Sequence, residues 1–253
     1  RKWDMQYAPS VCQQCSVGCN TSPGERYGEL RRIENRFNGA VNHYFLCDRG
    51  RFGYGYVNLP DRPKAPQQNG QTVSVDQALD QTIASLQGKK ILGIGSARAS
   101  LEANFALREL VGSAQFSTGM TAAEQALVEQ AADLLQTEGV QTPSLRDIED
   151  CDFVLVLGED VTQTAPRIAL AIRQVAHNKA EQMAAERKTQ DWLAEPVNRI
   201  GQHAKSPVYL LAVTGTRLHD VAAGEVVATP HDIARLRVVE SYTVESNSKR
   251  DVY

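Results

Sequence analysis

Residues 10–20 read Ser-Val-Cys-Gln-Gln-Cys-Ser-Val-Gly-Cys-Asn and place Cys12, Cys15 and Cys19 in one short loop. With Cys47 they form a Cys-x2-Cys-x3-Cys-x27-Cys array. Three thiolates in one loop can wrap one side of a compact inorganic core, and a fourth from a distant segment closes it, as a [4Fe-4S] cluster requires. The array predicts one such cluster, with these four cysteines as its ligands.

The residues between the ligands suit a loop that curls around a cluster. Most of them are small or polar, and Gly18, just before Cys19, permits a closer backbone approach than a side chain would. Backbone N–H groups in such loops donate to cluster sulfides and help to set the reduction potential. The loop is therefore expected to tune the cluster as well as hold it.

Three alternatives remain open for these thiols. A structural zinc site also uses four thiolates, but it usually pairs two Cys-x2-Cys-like knuckles. Disulfides suit small secreted domains without a core, and free buried thiols are the ordinary state of isolated cysteines. The last interpretation is preferred for Cys151, which opens an apolar stretch and is expected to be buried.

Composition limits the class of protein. A chain of 253 residues, 42% of them hydrophobic, can bury a sizeable core in one or two domains. A net charge of -3 gives no global attraction to nucleic acid or anionic lipid. No apolar run approaches the roughly 20 residues of a membrane-spanning helix. The unpaired thiols and the lack of a secretory signal predict a reducing compartment, and the chain is expected to be a piece of a longer protein.

Charge is uneven near the cysteines. Residues 1–55 hold eight Lys and Arg against five Asp and Glu, which is either an ordinary solvated surface or compensation for a negatively charged cluster. Arg49, two residues after Cys47, is the best candidate for compensation. His43, four residues before Cys47, is a candidate to stack near the cluster or hydrogen-bond to it.

The pattern along the chain predicts two domains. Residues 1–56 are rich in Gly, Asn, Arg and Tyr, offer only short antiparallel strands such as 31–35, and could hardly fold without a metal group. A proline-punctuated connector over residues 58–66 follows. We predict a cluster domain over 1–56 and an α/β domain over 57–253.

The second domain alternates helical and strand patterns, which predicts a doubly wound, mostly parallel α/β sandwich with strands buried on both faces. Helices are predicted from a cap at Asp76 to residue 86, and over 100–110, 121–138, 166–176 and 179–202. Strands are predicted over 91–95, 115–117, 151–158 and 208–213.

Motifs for nucleotide binding or acid-base catalysis are missing from this α/β pattern. Gly93 and Gly95 lack the third glycine of a dinucleotide fingerprint, and Glu159 and Asp160 would repel a phosphate at the next strand end. We predict no catalytic residue in the chain.

Three segments together resemble the amino-terminal [4Fe-4S] domain of the molybdopterin oxidoreductase superfamily, which includes formate dehydrogenases. They are residues 11–19, 47–52 and 58–62. Residues 152–172 are similar to the pterin-binding α/β domain of that superfamily. The implied fold is a small cysteine-rich cluster domain followed by a pterin-type α/β domain.

Within the superfamily, the cysteine array and residues 95–100 most resemble the family of large iron-sulfur subunits of bacterial NADH:quinone oxidoreductases, the respiratory complex I enzymes. The resemblance implies the middle portion of such a subunit, one extra [4Fe-4S] cluster with a structural or electron-carrier role, and a part in proton-translocating electron transport from NADH to quinone. The implied partners are other subunits of the peripheral arm, with neither nucleic acid nor direct membrane insertion. The implied location is cytoplasmic, peripheral to the inner membrane.

Departures from the catalytic branch argue against molybdopterin. No Cys or Ser is evident as a molybdenum or tungsten ligand, and Arg49 stands where formate dehydrogenases resemble one another in a Lys. No molybdopterin is therefore expected. A fragment of a molybdenum or tungsten bis-pterin oxidoreductase and a zinc-stabilised structural module remain the alternatives.

Overall fold

The computed structural model describes residues 2–235, and this part of the chain mixes helices with strands. It divides into two compact units, one made of the residues up to Leu59 and those from Pro143 onward, the other of Pro60–Thr142. This grouping differs from the predicted domains, 1–56 and 57–253, because residues after Pro143 supply neighbours to the cysteine-rich segment. The predicted domain division itself stays a prediction.

The cysteine-rich segment is built on a four-stranded antiparallel sheet. Its elements are β1 (Gln6–Tyr7), β2 (Ser10–Val11), β3 (Asn20–Arg26), β4 (Glu29–Asn35) and the short helix α1 (Asp48–Phe52). Strand β3 pairs with the other three, and β4 confirms the antiparallel strand predicted over 31–35. Tyr27 and Gly28, both at positive φ, link β3 to β4 in a two-residue turn.

The unit Pro60–Thr142 holds two small two-stranded sheets and three helices. They are β5 (Gln67–Gln68), β6 (Gln71–Thr72), α2 (Val75–Leu86), β7 (Gly93–Ile94), α3 (Leu101–Val111), β8 (Phe116–Ser117) and α4 (Ala122–Gln136). The helix starts predicted at Ser100 and Thr121 are confirmed, since both side chains cap their helices. The cap predicted at Asp76 is wrong, because Ser74 caps α2 in a reciprocal capping box with Gln77.

The residues from Pro143 onward form a three-stranded parallel sheet with helices. The elements are α5 (Leu145–Glu149), β9 (Val154–Leu157), α6 (Val161–Thr164), α7 (Pro166–Glu186), α8 (Ala194–Gly201), β10 (Val208–Ala212), β11 (Gly224–Val227) and α9 (Pro230–Ala234). The strand order is β11-β10-β9, and both pairings are parallel. This sheet confirms the predicted parallel strands at 151–158 and 208–213, although both are shorter than predicted.

The hydrophobic core lies between one face of this sheet and α7. Val156, Val208 and Leu210 face Ile172 and Val175 there, and all five are buried. The opposite face differs from the prediction of strands buried on both sides. Its large side chains are exposed within the part of the chain that the structure describes, and they include Leu155, Leu157, Tyr209 and Val226.

Helix α7 is longer than predicted and absorbs part of the second predicted helix. It continues to Glu186, and α8 follows after a break. Asn178, within α7, donates to the carbonyl oxygens of Glu149 and Cys151 at 2.8 and 2.9 Å. Cys151 itself precedes β9 and is half-buried rather than buried.

No helix between residues 2 and 235 has the length and apolar character needed to span a membrane.

Candidate metal centre

The four cysteines of the array lie on two segments that the antiparallel sheet brings together. Cys12, Cys15 and Cys19 occupy the loop between β2 and β3, and the Cys12 N–H closes this loop by donating to the Cys19 carbonyl oxygen at 2.8 Å. Cys47 caps the amino end of α1, where its Sγ accepts from the Gly50 N–H at 3.4 Å. All four are free thiols.

Electrostatic interactions connect the four thiols with one another. Burial raises the pKa of Cys12, and proximity to Cys47 and Cys15 raises it further, against a backbone hydrogen bond at Gln14 that lowers it. Burial and the other three thiols raise the pKa of Cys19 to about 11. The raised pKa values of Cys12 and Cys19 mean that a positively charged metal group would favour their thiolate forms, because metal ions bind the thiolate.

Two glycines adapt the backbone around the thiols. Gly50 is buried, and a Cβ at its position would lie 2.8 Å from Leu46 Cδ1 and 3.2 Å from Cys12 Sγ. Gly18 has φ +66°, and a Cβ there would meet only Val11 Cγ1, at 3.6 Å. The left-handed conformation of Gly18 is one that glycine adopts without strain, and its predicted close approach to a cluster stays a prediction.

Four cysteine thiols are the donor set of a [4Fe-4S] cluster and also of a structural zinc ion. Tetrahedral zinc needs all its sulfurs about 2.3 Å from one point. Between residues 2 and 235, no group of three or more His, Cys, Asp or Glu side chains is placed to hold a metal ion in that way. A [4Fe-4S] core instead needs its four thiolates spread around several metal atoms.

Asn42 is a structural residue that the sequence analysis missed. Its side chain is fully buried, and Nδ2 donates to the carbonyl oxygens of Arg36 and Phe45, each at 3.2 Å. These bonds fix the loop that leads from β4 to Cys47. A lone Asn in a polar segment carries no distinctive sequence signal, because most such residues are exposed.

The predicted auxiliary residues near the cluster have different environments. Arg49 is exposed on α1, and its role in charge compensation stays a prediction. His43 is partly buried with φ +46°, and its Nε2 has no hydrogen-bond partner among the described residues. A buried cation of the same compact unit is Arg167 of α7, whose charge offsets a small part of the rise in the pKa of Cys19 that burial and the other thiols cause. No local motif marks Arg167, since it lies 148 residues after Cys19 in the chain.

Comparison with known proteins supports the interpretation of the array. Residues 5–59 match the molybdopterin oxidoreductase Fe4S4 domain. The chain is 56% identical over 253 residues to the G subunit of NADH-quinone oxidoreductase from Yersinia pestis and from Escherichia coli K12. It is 56% identical over 249 residues to the protein of the same name from Pseudomonas putida.

These matches cover 98% of this chain but only 28% of each relative. The chain thus spans little more than a quarter of the length of the curated relatives it matches. The family resemblance expected from the cysteine array is confirmed: residues 5–59 match the molybdopterin oxidoreductase Fe4S4 domain, and the chain as a whole is similar to a segment of the NADH-quinone oxidoreductase G subunit.

Proposed function

We propose that this chain is part of the iron-sulfur subunit of a proton-translocating NADH:quinone oxidoreductase and that Cys12, Cys15, Cys19 and Cys47 bind one [4Fe-4S] cluster. The observation that supports this best is the gathering of four free thiols inside a segment that matches the Fe4S4 domain. The partners would be the other subunits of the peripheral arm, and the location would be the cytoplasmic side of the inner membrane.

When bound, such a cluster supplies one-electron exchange with little rearrangement. The residues of this chain would hold and shield it. Cys19 provides a buried anchor, and the Gly50 N–H hydrogen-bonds to Cys47 Sγ, an interaction of the kind that sets a cluster's potential. The chain contributes no predicted catalytic residue, so we assign it a supporting role in the enzyme.

A structural role for the cluster is supported by the distribution of buried side chains. Among the buried hydrophobic residues of the described part of the chain, only Cys19 lies before Leu145. A segment of that kind has little apolar burial to offset its conformational entropy, and metal binding can supply the missing free energy of folding. We therefore propose that the main role of the cluster is to stabilise the folded cysteine-rich segment, and that electron transfer is a second role.

The residues after Pro143 would belong to a doubly wound α/β architecture of the pterin-binding type, without pterin. The parallel order β11-β10-β9 and the long helix α7 support this assignment. The exposed apolar face of that sheet is where a doubly wound fold would carry its second helical layer.

The test is metal and pterin analysis of the full-length protein, purified without oxygen, followed by low-temperature electron paramagnetic resonance after dithionite reduction. We expect about four irons for this site, a reduced-cluster signal, and neither molybdenum, tungsten nor pterin. To separate this site from iron bound elsewhere in the full-length protein, Cys47→Ser is compared with Cys151→Ser. Only the first should remove one cluster.

Two other outcomes would replace the proposal. Stoichiometric zinc that Cys47→Ser abolishes would make the site a structural zinc module. Bound molybdopterin would make the chain part of a catalytic bis-pterin oxidoreductase.

A further inference from the structure

Arg167 is a buried cation with unused hydrogen-bonding capacity. Its side chain is 3% exposed, and it is the second residue of α7. None of Nε, Nη1 and Nη2 has a hydrogen-bond partner among the described residues. Glu149 forms an ion pair with Arg167 but no hydrogen bond, since its Oε1 lies 3.6 Å from Nη2.

An arrangement of this kind calls for an anion. Arginine keeps its proton at all ordinary pH values and has five N–H donors. Buried charged groups in native proteins are paired and hydrogen-bonded, because an unsatisfied one loses its hydration without replacement. Glu149 compensates part of the charge, which leaves the donors themselves without acceptors.

The surroundings of Arg167 identify where that anion lies. The guanidinium carbon sits 5.1 Å from the centroid of the Phe45 ring, two residues before Cys47. The Phe45 carbonyl oxygen accepts from Asn42 Nδ2, and Asn42 Oδ1 accepts from the N–H of Asn20, the residue after Cys19. The guanidinium therefore lies over the segment that leads to Cys47, at the point where Asn42 ties that segment to the end of the other ligand loop.

The start of α7 adds to the same positive potential. Its N-cap residue, Ala165, is buried and offers no side-chain oxygen to the first turn of this 21-residue helix. The partial positive charge of a helix amino end attracts anions, and here it adds to a full cationic charge.

We propose that Arg167 compensates the negative charge of the thiolate-bound metal group and thereby raises its reduction potential. The inference rests on the proposed cluster. Reduction adds one negative charge to a cluster, so a nearby buried cation stabilises the reduced form more than the oxidised form. Arg167 is a positioning and tuning residue in this proposal, not a metal ligand.

The test uses the full-length protein with Arg167→Gln, Arg167→Lys, Glu149→Gln and, as control, Arg199→Gln. Arg199 has the same charge, belongs to the same compact unit and has a side chain that is 79% exposed. Iron content is measured first, and the cluster that Cys47→Ser removes is then titrated potentiometrically by its paramagnetic signal.

With Arg167→Gln we expect the ratio of reduced to oxidised cluster at a fixed potential to fall at least tenfold, about 59 mV for a one-electron couple. Arg167→Lys should shift the reduction potential less, and Arg199→Gln should hardly shift it. Glu149→Gln should move the potential upward, because it removes the carboxylate that partly neutralises Arg167. A packing role for Arg167 would not produce these opposite signs.

Equal shifts from Arg167→Gln and Arg199→Gln, with full iron content, would overturn the proposal. If the Arg167→Gln variant loses iron, the iron content of the Arg167→Lys variant distinguishes charge compensation from packing. Iron retained by the lysine variant supports charge compensation, whereas iron lost from both variants means a packing role and overturns it. Wild-type protein without iron at this site would instead refute the proposed function.

Discussion

Asn42 Oδ1 accepts a hydrogen bond from the Asn20 backbone N–H at 2.9 Å. Asn20 directly follows the ligand Cys19, and Asn42 lies five residues before the ligand Cys47. One buried side chain thus ties together the two segments that carry the four thiols. This contact adds to the sheet in holding the two ligand segments together.

Replacing Asn42 by Ala should destabilise the iron-loaded protein by about 1–3 kcal/mol, because three partly buried hydrogen bonds to backbone groups of residues 20, 36 and 45 are lost. Denaturant unfolding followed by loss of cluster absorbance measures this. Asn198→Ala, at an exposed position of α8, is the control and should change little. Equal effects of the two substitutions would contradict the role of Asn42.

Gly50→Ala should lower iron occupancy. The new methyl group would press on Leu46 and Cys12 Sγ, and overpacking of this kind typically costs about 1–3 kcal/mol. Gly55→Ala is the matched control, since a Cβ there would meet nothing within 4 Å. The iron content of both purified variants tests this prediction. Normal iron content in Gly50→Ala would show that the loop accommodates the methyl group without losing the cluster.

Cys47→Ala should expose residues up to Leu59 to protease while the sheet formed by β9, β10 and β11 stays resistant. The reason is that nearly all buried hydrophobic residues of the described part of the chain lie at or after Leu145. Limited proteolysis with mass spectrometry distinguishes the two regions. Simultaneous degradation of both would mean that they unfold as one.

Leu210→Ala should lower the free energy of unfolding by about 2–5 kcal/mol, as other substitutions that leave a cavity in a packed core do. Leu157→Ala, on the exposed face of the same sheet, should cost far less. Thermal unfolding of the chain measures both. A comparable loss from Leu157→Ala would show that the second face is covered after all.

Cluster binding should strengthen as the pH rises. The pKa of Cys12 is raised and that of Cys19 is about 11, so both thiols hold their protons at pH 7. Loading must release those protons, which makes the affinity rise about tenfold per pH unit for each proton released. Competition with an iron chelator at pH 7 and pH 9, without oxygen, tests this. Identical affinities at the two values would contradict it.

The part of the fold that follows from local patterns could be predicted from the sequence. Helix starts at Ser100 and Thr121 depend on a side chain and the next turn only. The strands at 154–157 and 208–212 are short apolar runs, and the cysteine spacing carries its own chemistry. Each of these signals lies within a few residues of the structure it determines.

The parts of the fold that depend on contacts between distant residues could not be predicted from the sequence. His177 and Asn178 fall between the two predicted helices, but Asn178 donates to the carbonyl oxygens of Glu149 and Cys151, and α7 continues through it. Arg167 reaches the thiols only through tertiary packing. The sequence therefore predicts compensating charge at Arg49, the basic residue nearest to Cys47 along the chain, which is exposed.

The turn at Tyr27 and Gly28 has a consequence for how such sites vary among related chains. The seven residues of β3 separate that turn from Cys19 by about 23 Å, at about 3.3 Å per residue. Residues added to or removed from both strands in register would alter the length of the hairpin without displacing a thiol. The spacing of 27 residues between Cys19 and Cys47 can thus change in length while the site is kept. A sequence search that fixes this number would overlook homologous sites with a longer or shorter hairpin.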